Sequence, residues 1–287
     1  MPSRLVCVAI LLYWLTASVG LVSRDLLPEL SLGSPPDLRT IASAGGEDPP
    51  ARWSIQAADN PNLPGSGRTI GQAVTESRRG RDGSVEMSSK VSFDSGRLLG
   101  SLMKGVAAAS RVDEQIEFLS TYHVDPSGNL LSFHAEVRMA NAAGGECRID
   151  GRLKNHVMEV VSRGPLPIFN RTVTFEYRPR GVIQSQFGPL DRLPGLHVGQ
   201  RWDEQVASPL SGQVETVRAE VTRRVVIHWD KSPVATLEVV HRSKAVTART
   251  WVRPDGLVLR QEVVLPVLRL VLERQPDRVN APDDQPR

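Results

Sequence analysis

Apolar and polar residues alternate with a period of two over much of the chain between residues 52 and 274. Such alternation is typical of antiparallel strands with one buried face, because successive side chains of a strand point to opposite faces of the sheet. It predicts a mainly β fold: a curved antiparallel meander or half-barrel, with at most one or two short helices. The clearest apolar positions are Ile116, Phe118, Tyr122 and Val124, and then Val217, Ala219, Val221, Val225 and Ile227 on one face of a later segment.

Turn residues separate the predicted strands. Asp-Gly and Pro-x-Gly sequences favour tight hairpins, and Arg223 interrupts an apolar face, which indicates a bulge or the end of burial. The turns are Arg81-Asp82-Gly83, Pro126-Ser127-Gly128-Asn129, Gly144-Gly145, Lys154-Asn155 and Pro254-Asp255-Gly256. The predicted strands cover 53–58, 69–78, 84–93, 116–124, 130–139, 147–153, 157–162, 171–177, 217–227, 233–241, 245–253, 257–265 and 267–273.

Two segments differ from this pattern. Leu98, Leu102 and Val106 fall on one face of a helix over 98–112, which two internal glycines weaken by about 1 kcal/mol each. The Pro- and Gly-rich stretch 179–199 is interpreted as an ordered crossing between two β halves.

The N-terminus determines the predicted location. An uncharged run from Leu5 to Val22 follows Arg4, and as a helix it is about 27 Å long, at the short end of what spans a bilayer core. We favour a retained signal anchor, because apolar residues continue past Gly20; the alternative is a signal peptide cleaved after Gly20. The main domain is then either anchored on the periplasmic side of the inner membrane or secreted.

Composition divides the chain into four parts. Residues 1–22 are the signal anchor or signal peptide, 23–51 a flexible Pro- and Gly-rich linker, 52–274 one extracytoplasmic antiparallel β domain, and 275–287 a disordered tail. Hydrophobic residues make up 40% and charged residues 23% of the 287 residues, which excludes a fully disordered chain. The net charge of only +3 argues against a nucleic-acid partner. Two cysteines exclude a disulfide framework and a cysteine-based zinc site.

The order of several landmarks carries a family resemblance. They are TIGQ at 69–72, DPSGNLLSF at 125–133, GECRIDGRL at 145–153, LPGLHVGQRW at 193–202 and ARTWVRPDGLVLRQE at 248–262. This order resembles the β-rich region that precedes transglutaminase-like domains in bacterial envelope proteins. It is also similar in layout to LolA/LolB-like half-barrel proteins that carry lipoproteins. The resemblance covers about residues 50–274, and no catalytic transglutaminase-like domain follows, so it implies the accessory module without the enzyme.

Two sets of residues are candidate binding sites. An apolar face could hold an acyl chain or a peptide, or could simply fill a core; its candidate lining residues are Ile116, Phe118, Tyr122, Phe133, Phe175 and Trp251. Arg78, Arg79 and Arg81 cluster at one predicted hairpin, where guanidinium groups could bind an anionic partner. The alternative for the arginines is a solvated outer face paired with glutamates across strands.

Candidate catalytic chemistry is sparse. His123 with Asp125, and His134 with Glu136, are spaced to share one strand face, and a hydrolase would require these side chains to converge in a cleft. Cys147 is interpreted as a structural thiol, with an intermolecular disulfide as the alternative. We therefore expect no enzyme activity, no cofactor and no metal.

The sequence thus predicts a membrane-anchored, non-catalytic binding or scaffold module of the bacterial envelope. Its expected partners are the membrane, through the N-terminal helix, and an envelope protein or a lipid. The alternatives are a lipid or lipoprotein carrier with an apolar half-barrel cavity, and a hydrolase with a His/carboxylate site.

Overall fold

A computed structural model describes most of the predicted β domain. It covers Pro36 and residues 49–58, 67–94, 115–139, 146–165, 167, 170–177, 183–185, 188–208, 213–243, 247–264 and 269–276. The predicted membrane segment, the predicted helix over 98–112 and most of the predicted linker and tail lie outside these residues. Within them, no helix has both the length and the apolar character needed to cross a membrane.

Fifteen strands of the described residues belong to one sheet. In chain order they are β1 (Ala51–Ala58), β2 (Arg68–Arg79), β3 (Val85–Asp94), β4 (Gln115–Val124), β5 (Leu130–Met139), β6 (Glu146–Lys154), β7 (Val157–Arg163), β8 (Arg171–Glu176), β9 (Ile183–Ser185), β10 (Arg201–Ser208), β11 (Gln213–Trp229), β12 (Ser232–Arg242), β13 (Thr247–Val252), β14 (Val258–Val264) and β15 (Arg269–Arg274).

The sheet consists of two meanders joined at a central seam. Strands β8 to β1 follow one another on one side, strands β15 to β9 on the other, and β1 pairs with β15 between them. All pairings are antiparallel except that of β9 with β10. We call β1–β8 the N-terminal half and β9–β15 the C-terminal half. The predicted mainly β, antiparallel architecture is confirmed, and in the described part the sheet is not closed, with β8 and β9 as its edges.

Short turns fix the register of the hairpins. Asn155 and His156 join β6 to β7 with φ values of 48° and 64°, and Asp230 and Lys231 join β11 to β12 with 47° and 63°. Two consecutive left-handed residues match the twist of a two-residue hairpin. The predicted turn at Gly256 also has a positive φ of 88°.

The register places one continuous set of apolar side chains on the same face. One row across the strands runs from Trp53 through Ala73, Val91 and Phe118 to Val137. We call this side of the sheet the apolar face, and the opposite side the polar face. Burial of the apolar face provides the main stabilisation of the fold.

Hydrogen bonds show that both halves of the sheet curl. The Tyr177 hydroxyl, just after β8, accepts a hydrogen bond of 3.0 Å from the backbone N–H of Leu130 on β5. These strands are three positions apart, which is about 14 Å in a flat sheet. In the C-terminal half the Trp229 indole donates to the Arg274 carbonyl at 2.7 Å, from β11 to β15.

A bulge in β11 changes one sequence-based expectation. The register of β11 against β12 shifts between Val221 and Arg223, as the interruption at Arg223 indicated. Val221 lies opposite Val239, whereas Val225 lies opposite Thr236. Because the bulge adds one residue, Val225 and Ile227 lie on the other face from Val221. The prediction that all five apolar residues of this strand share one face was therefore wrong.

Candidate functional site

Five of the six predicted lining residues lie on the apolar face. The register pairs Phe93 with Ile116, Val91 with Phe118, and Tyr122 with Phe133. Across the next strands the register pairs Phe133 with Gly151 and Gly151 with Val160. Met158, two residues before Val160 on the same face of β7, pairs with Phe175. β4, β5 and β8 thus present Ile116, Phe118, Tyr122, Phe133 and Phe175 to the same side.

These side chains form two aromatic contacts and remain partly accessible. Phe118 meets Phe93 edge-on, with ring centroids 5.6 Å apart, and Tyr122 stacks on Phe133 at 6.2 Å. Phe133 is buried, whereas Phe118 and Tyr122 are half-buried. Ile116 and Phe175 are half-buried as well. A half-buried apolar side chain can still lose water-accessible area to a ligand, which is the physical basis of apolar binding.

A glycine provides the space for the central aromatic ring. An ideal Cβ added to Gly151 would lie 2.0 Å from Cε1 of Phe133. Real Cβ atoms do not approach other atoms so closely, so the Phe133 ring occupies the position that a side chain on β6 would fill. The absence of a side chain at residue 151 therefore determines how Phe133 sits beneath Tyr122.

The register separates Trp251 from the other five residues. Trp251 on β13 lies opposite Glu238 and Arg260, whereas its neighbour Thr250 lies opposite Gln261 on the apolar face. Trp251 is buried on the polar side, where the Arg260 guanidinium lies 5.4 Å from its ring centroid. This cation–π contact gives Trp251 a packing role in the C-terminal half.

Two further residues of the apolar face, Met87 and Leu153, were not singled out from the sequence. Met87 on β3 and Leu153 on β6 are partly buried and pack against the same core. Cys147 lies opposite Val137 on this face, and burial raises the pKa of its thiol, which disfavours the reactive thiolate. The period-two pattern of β3 and β6 is the signal that could have identified Met87 and Leu153.

The arginine patch lies at the β2–β3 hairpin. Arg78 binds Glu76 with both arms of its guanidinium, at 2.7 and 3.2 Å, and the hydrogen bond raises the pKa of Arg78. Arg79 and Arg81 are exposed, and neither has an ion-pair partner among the described residues. The turn is held by Asp82, whose carboxylate accepts from the backbone N–H and the hydroxyl of Ser84.

A cavity of about 530 Å³ opens beside this hairpin. Its lining combines cations and anions: Arg78 and Arg79 with Asp82 and Glu86. Glu86 lies 3.5 Å from Nδ1 of His123. The remaining lining residues are Gly80, Ser84, Val85, His123, Val124, Leu131 and Ser132. Two of the three predicted arginines, Arg78 and Arg79, therefore border a concave site of mixed charge rather than a purely cationic surface.

The predicted histidine and carboxylate residues do not form one cluster. His134 on β5 contacts Asp150 at 2.8 Å and Glu136 at 3.4 Å on the polar face. Glu136 also accepts a hydrogen bond from Arg138. Asp125 lies in the β4–β5 turn, where it accepts from Asn129. In the described part of the chain, no three His, Cys, Asp or Glu side chains are placed to hold a metal ion.

No family model and no curated protein matches the chain. Among solved structures, a β-barrel-like protein of the domain of unknown function DUF1849 from Brucella abortus is similar. The match covers 79% of this chain and 94% of that one, with 12% identity and a TM-score of 0.49. A DUF1089 family protein from Pseudomonas aeruginosa matches over 65% of this chain and 87% of its own, with 14% identity and a TM-score of 0.35. The resemblance to transglutaminase-associated and LolA/LolB-like proteins stays a prediction.

Proposed function

We propose that the chain is a non-catalytic binding module of the bacterial envelope. It holds the apolar part of a ligand, an acyl chain or a peptide, against the apolar face of β4, β5 and β8. The observation that carries the proposal is the register, which brings Ile116, Phe118, Tyr122 and Phe175 to one face while each stays half-buried.

The location is part of the same proposal. The uncharged run from Leu5 to Val22 supports an inner-membrane anchor, with the β domain on the periplasmic side. Membrane fractionation of cells that express the full chain tests this point. Recovery of the chain in the soluble cytoplasmic fraction would contradict it.

Binding is tested with an uncharged fluorescent naphthylamine probe and the full chain extracted in mild detergent. We expect Phe118→Ala and Tyr122→Ala each to weaken probe binding about tenfold, because each removes roughly 1.4 kcal/mol of apolar contact. Leu119→Ala is the matched control. Leu119 is half-buried on the same strand but lies opposite Glu136, on the polar face.

The control separates local binding from general damage to the sheet. Equal affinity for all four proteins, or an equal loss with Leu119→Ala, would overturn the proposal. Native mass spectrometry of the same preparation distinguishes the ligand classes. A co-purifying lipid supports the half-barrel carrier, and a bound peptide supports a scaffold that recognises an envelope protein.

A further inference from the structure

Strand β8 forms an exposed edge of the sheet. It is the last strand in the order on its side, and it pairs only with β7 among the described strands. Arg171, Thr172, Val173 and Thr174 are exposed, as is Glu176. An edge strand has a row of backbone N–H and C=O groups that can pair with another strand.

One backbone hydrogen bond just after β8 shows which backbone groups of the strand point outward. The backbone N–H of Tyr177 donates to the His156 carbonyl at 2.9 Å. The backbone N–H and C=O groups of residue 177 therefore point toward the β7 side. In an antiparallel ladder, successive residues direct their N–H and C=O groups to alternate sides. Residues 175, 173 and 171 therefore face β7. The N–H and C=O groups of Thr172, Thr174 and Glu176 face the open edge.

The strand lacks most features that usually protect an edge. Native edges are blocked by lysine, proline, bulges or a covering element. β8 has neither lysine nor proline, its pairing with β7 shows no register shift, and four of its six residues are Thr, Val and Phe, which favour strands. The opposite edge, β9, has only three residues and offers a much shorter template.

The geometry points to a second copy of this chain as the occupant of the edge. We propose that two β8 strands pair antiparallel about a twofold axis and join two sheets into one. This orientation keeps like charges apart, because the Arg171 end of each strand lies at the Glu176 end of the other, with the two side chains on opposite faces of the sheet. Parallel pairing would bring like charges together.

One register satisfies every outward backbone group of the strand. A twofold axis perpendicular to the sheet places the apolar face of one copy beside the apolar face of the other. Residues that pair across the axis must therefore both have even numbers or both have odd numbers. Centring the axis on Thr174 pairs Thr174 with its copy and Thr172 with Glu176 of the second copy. On the apolar face, Val173 then meets Phe175 of the second copy, a favourable β-branched–aromatic pair. The two apolar faces become continuous through Phe175.

Cysteine cross-linking tests this register in the full chain with Cys7 and Cys147 replaced by serine. A hydrogen-bonded antiparallel pair has a Cα–Cα separation of about 5.5 Å, which suits a disulfide. We expect Thr174→Cys to form a covalent dimer under mild oxidation. Thr172→Cys is the control, since its two copies would lie about 13 Å apart. Equal cross-linking of the two variants, or none with Thr174→Cys, would overturn the proposal.

The dimer itself is measured by analytical ultracentrifugation of the full chain in detergent. Thr174→Pro removes an outward N–H without loss of a bond to β7, so we expect it to raise the dimer dissociation constant at least about tenfold. Its circular dichroism and thermal unfolding should match those of the unsubstituted chain. A monomer at all concentrations, or an unchanged dimer with Thr174→Pro, would refute the pairing.

A second variant covers the case in which proline disturbs the fold. Val173→Lys places a charge on the edge, and Val74→Lys is its matched control. Both valines are 39% exposed, but Val74 lies on β2, between β1 and β3. Only Val173→Lys should dissociate the dimer. Thr174→Pro changes a residue on the polar face of β8, outside the proposed lining, so it should keep the naphthylamine binding of the proposed function when monomeric, and the two proposals can fail separately.

Discussion

The two halves of the sheet bury their strands in different ways. In the N-terminal half, β3 alternates between buried positions such as Val91 and exposed ones such as Lys90. In the C-terminal half, β12 is buried at six consecutive positions, from Thr236 to His241. One half therefore has a clear apolar and a clear polar face, whereas β12 excludes water on both sides.

This difference changes what an ion pair contributes. On the polar face of the N-terminal half, Lys90 and Glu117 meet at 2.7 Å with their side chains 53% and 25% exposed. In the C-terminal half, Arg269 binds Glu262, with side chains only 15% and 2% exposed. Solvent screens the first pair, but loss of one partner of the second pair leaves a charge without water. The buried Arg269–Glu262 pair therefore stabilises the C-terminal half, whereas the exposed Lys90–Glu117 pair contributes little to the N-terminal half.

Arg269→Ala is expected to have the largest effect on stability. It leaves the buried Glu262 carboxylate without its guanidinium partner, which costs about 3–5 kcal/mol. Lys90→Ala removes the corresponding partner of Glu117 and should cost at most about 1 kcal/mol. Denaturant titration gives both free energies of unfolding. Equal losses in the two variants would show that the halves do not differ as their burial indicates.

Gly151→Ala tests the packing of the N-terminal half and should have the next largest effect. The new methyl group would occupy the position of the Phe133 ring, and we expect a loss of about 1–3 kcal/mol in the free energy of unfolding. The same substitution in a Phe133→Leu background should cost less, because the ring is no longer in the way. A full loss in that background would contradict the role assigned to Phe133.

The sequence predicted most of the strands because their patterns were local. Hairpins such as β6–β7 have both alternation and a turn signal, and β6 and β7 extend only one residue beyond the predicted ranges at any end. β10 was missed because Arg201–Ser208 contains three charged residues and little apolar alternation. The β11 bulge was indicated by Arg223, but its consequence for Val225 depends on pairing with β12, which one strand cannot show.

The candidate site was predictable only in part for the same reason. Phe118 and Tyr122 share a face because they are on one strand, and alternation is enough to place them together. Trp251 belongs to another strand, and its face depends on register across the β1–β15 seam. The cavity beside Arg79 requires Glu86 and Leu131 from separate strands, so no local pattern predicts it.

The smallest expected effect concerns acid stability and Glu136 on the polar face. Burial raises the pKa of Glu136, but hydrogen bonds from Arg138 and His134 and the charges of Arg138 and Arg148 outweigh it, so the pKa lies below its usual value. A carboxylate with a lowered folded-state pKa stabilises the fold fully above its unfolded pKa of about 4.3. That stabilisation is lost as the pH falls through the folded pKa.

Glu136→Gln should therefore destabilise the chain near neutral pH, by about 1 kcal/mol or less because solvent screens the half-exposed Arg138. The difference from the unsubstituted chain should shrink as the pH falls below the unfolded pKa of about 4.3 and through the lowered folded pKa. Denaturant titrations at several pH values measure this difference. Glu146→Gln, at an exposed carboxylate bound to Arg148, is the control. A difference for Glu136→Gln that stays constant down to pH values well below 4 would mean that side-chain shape, rather than charge, stabilises this position.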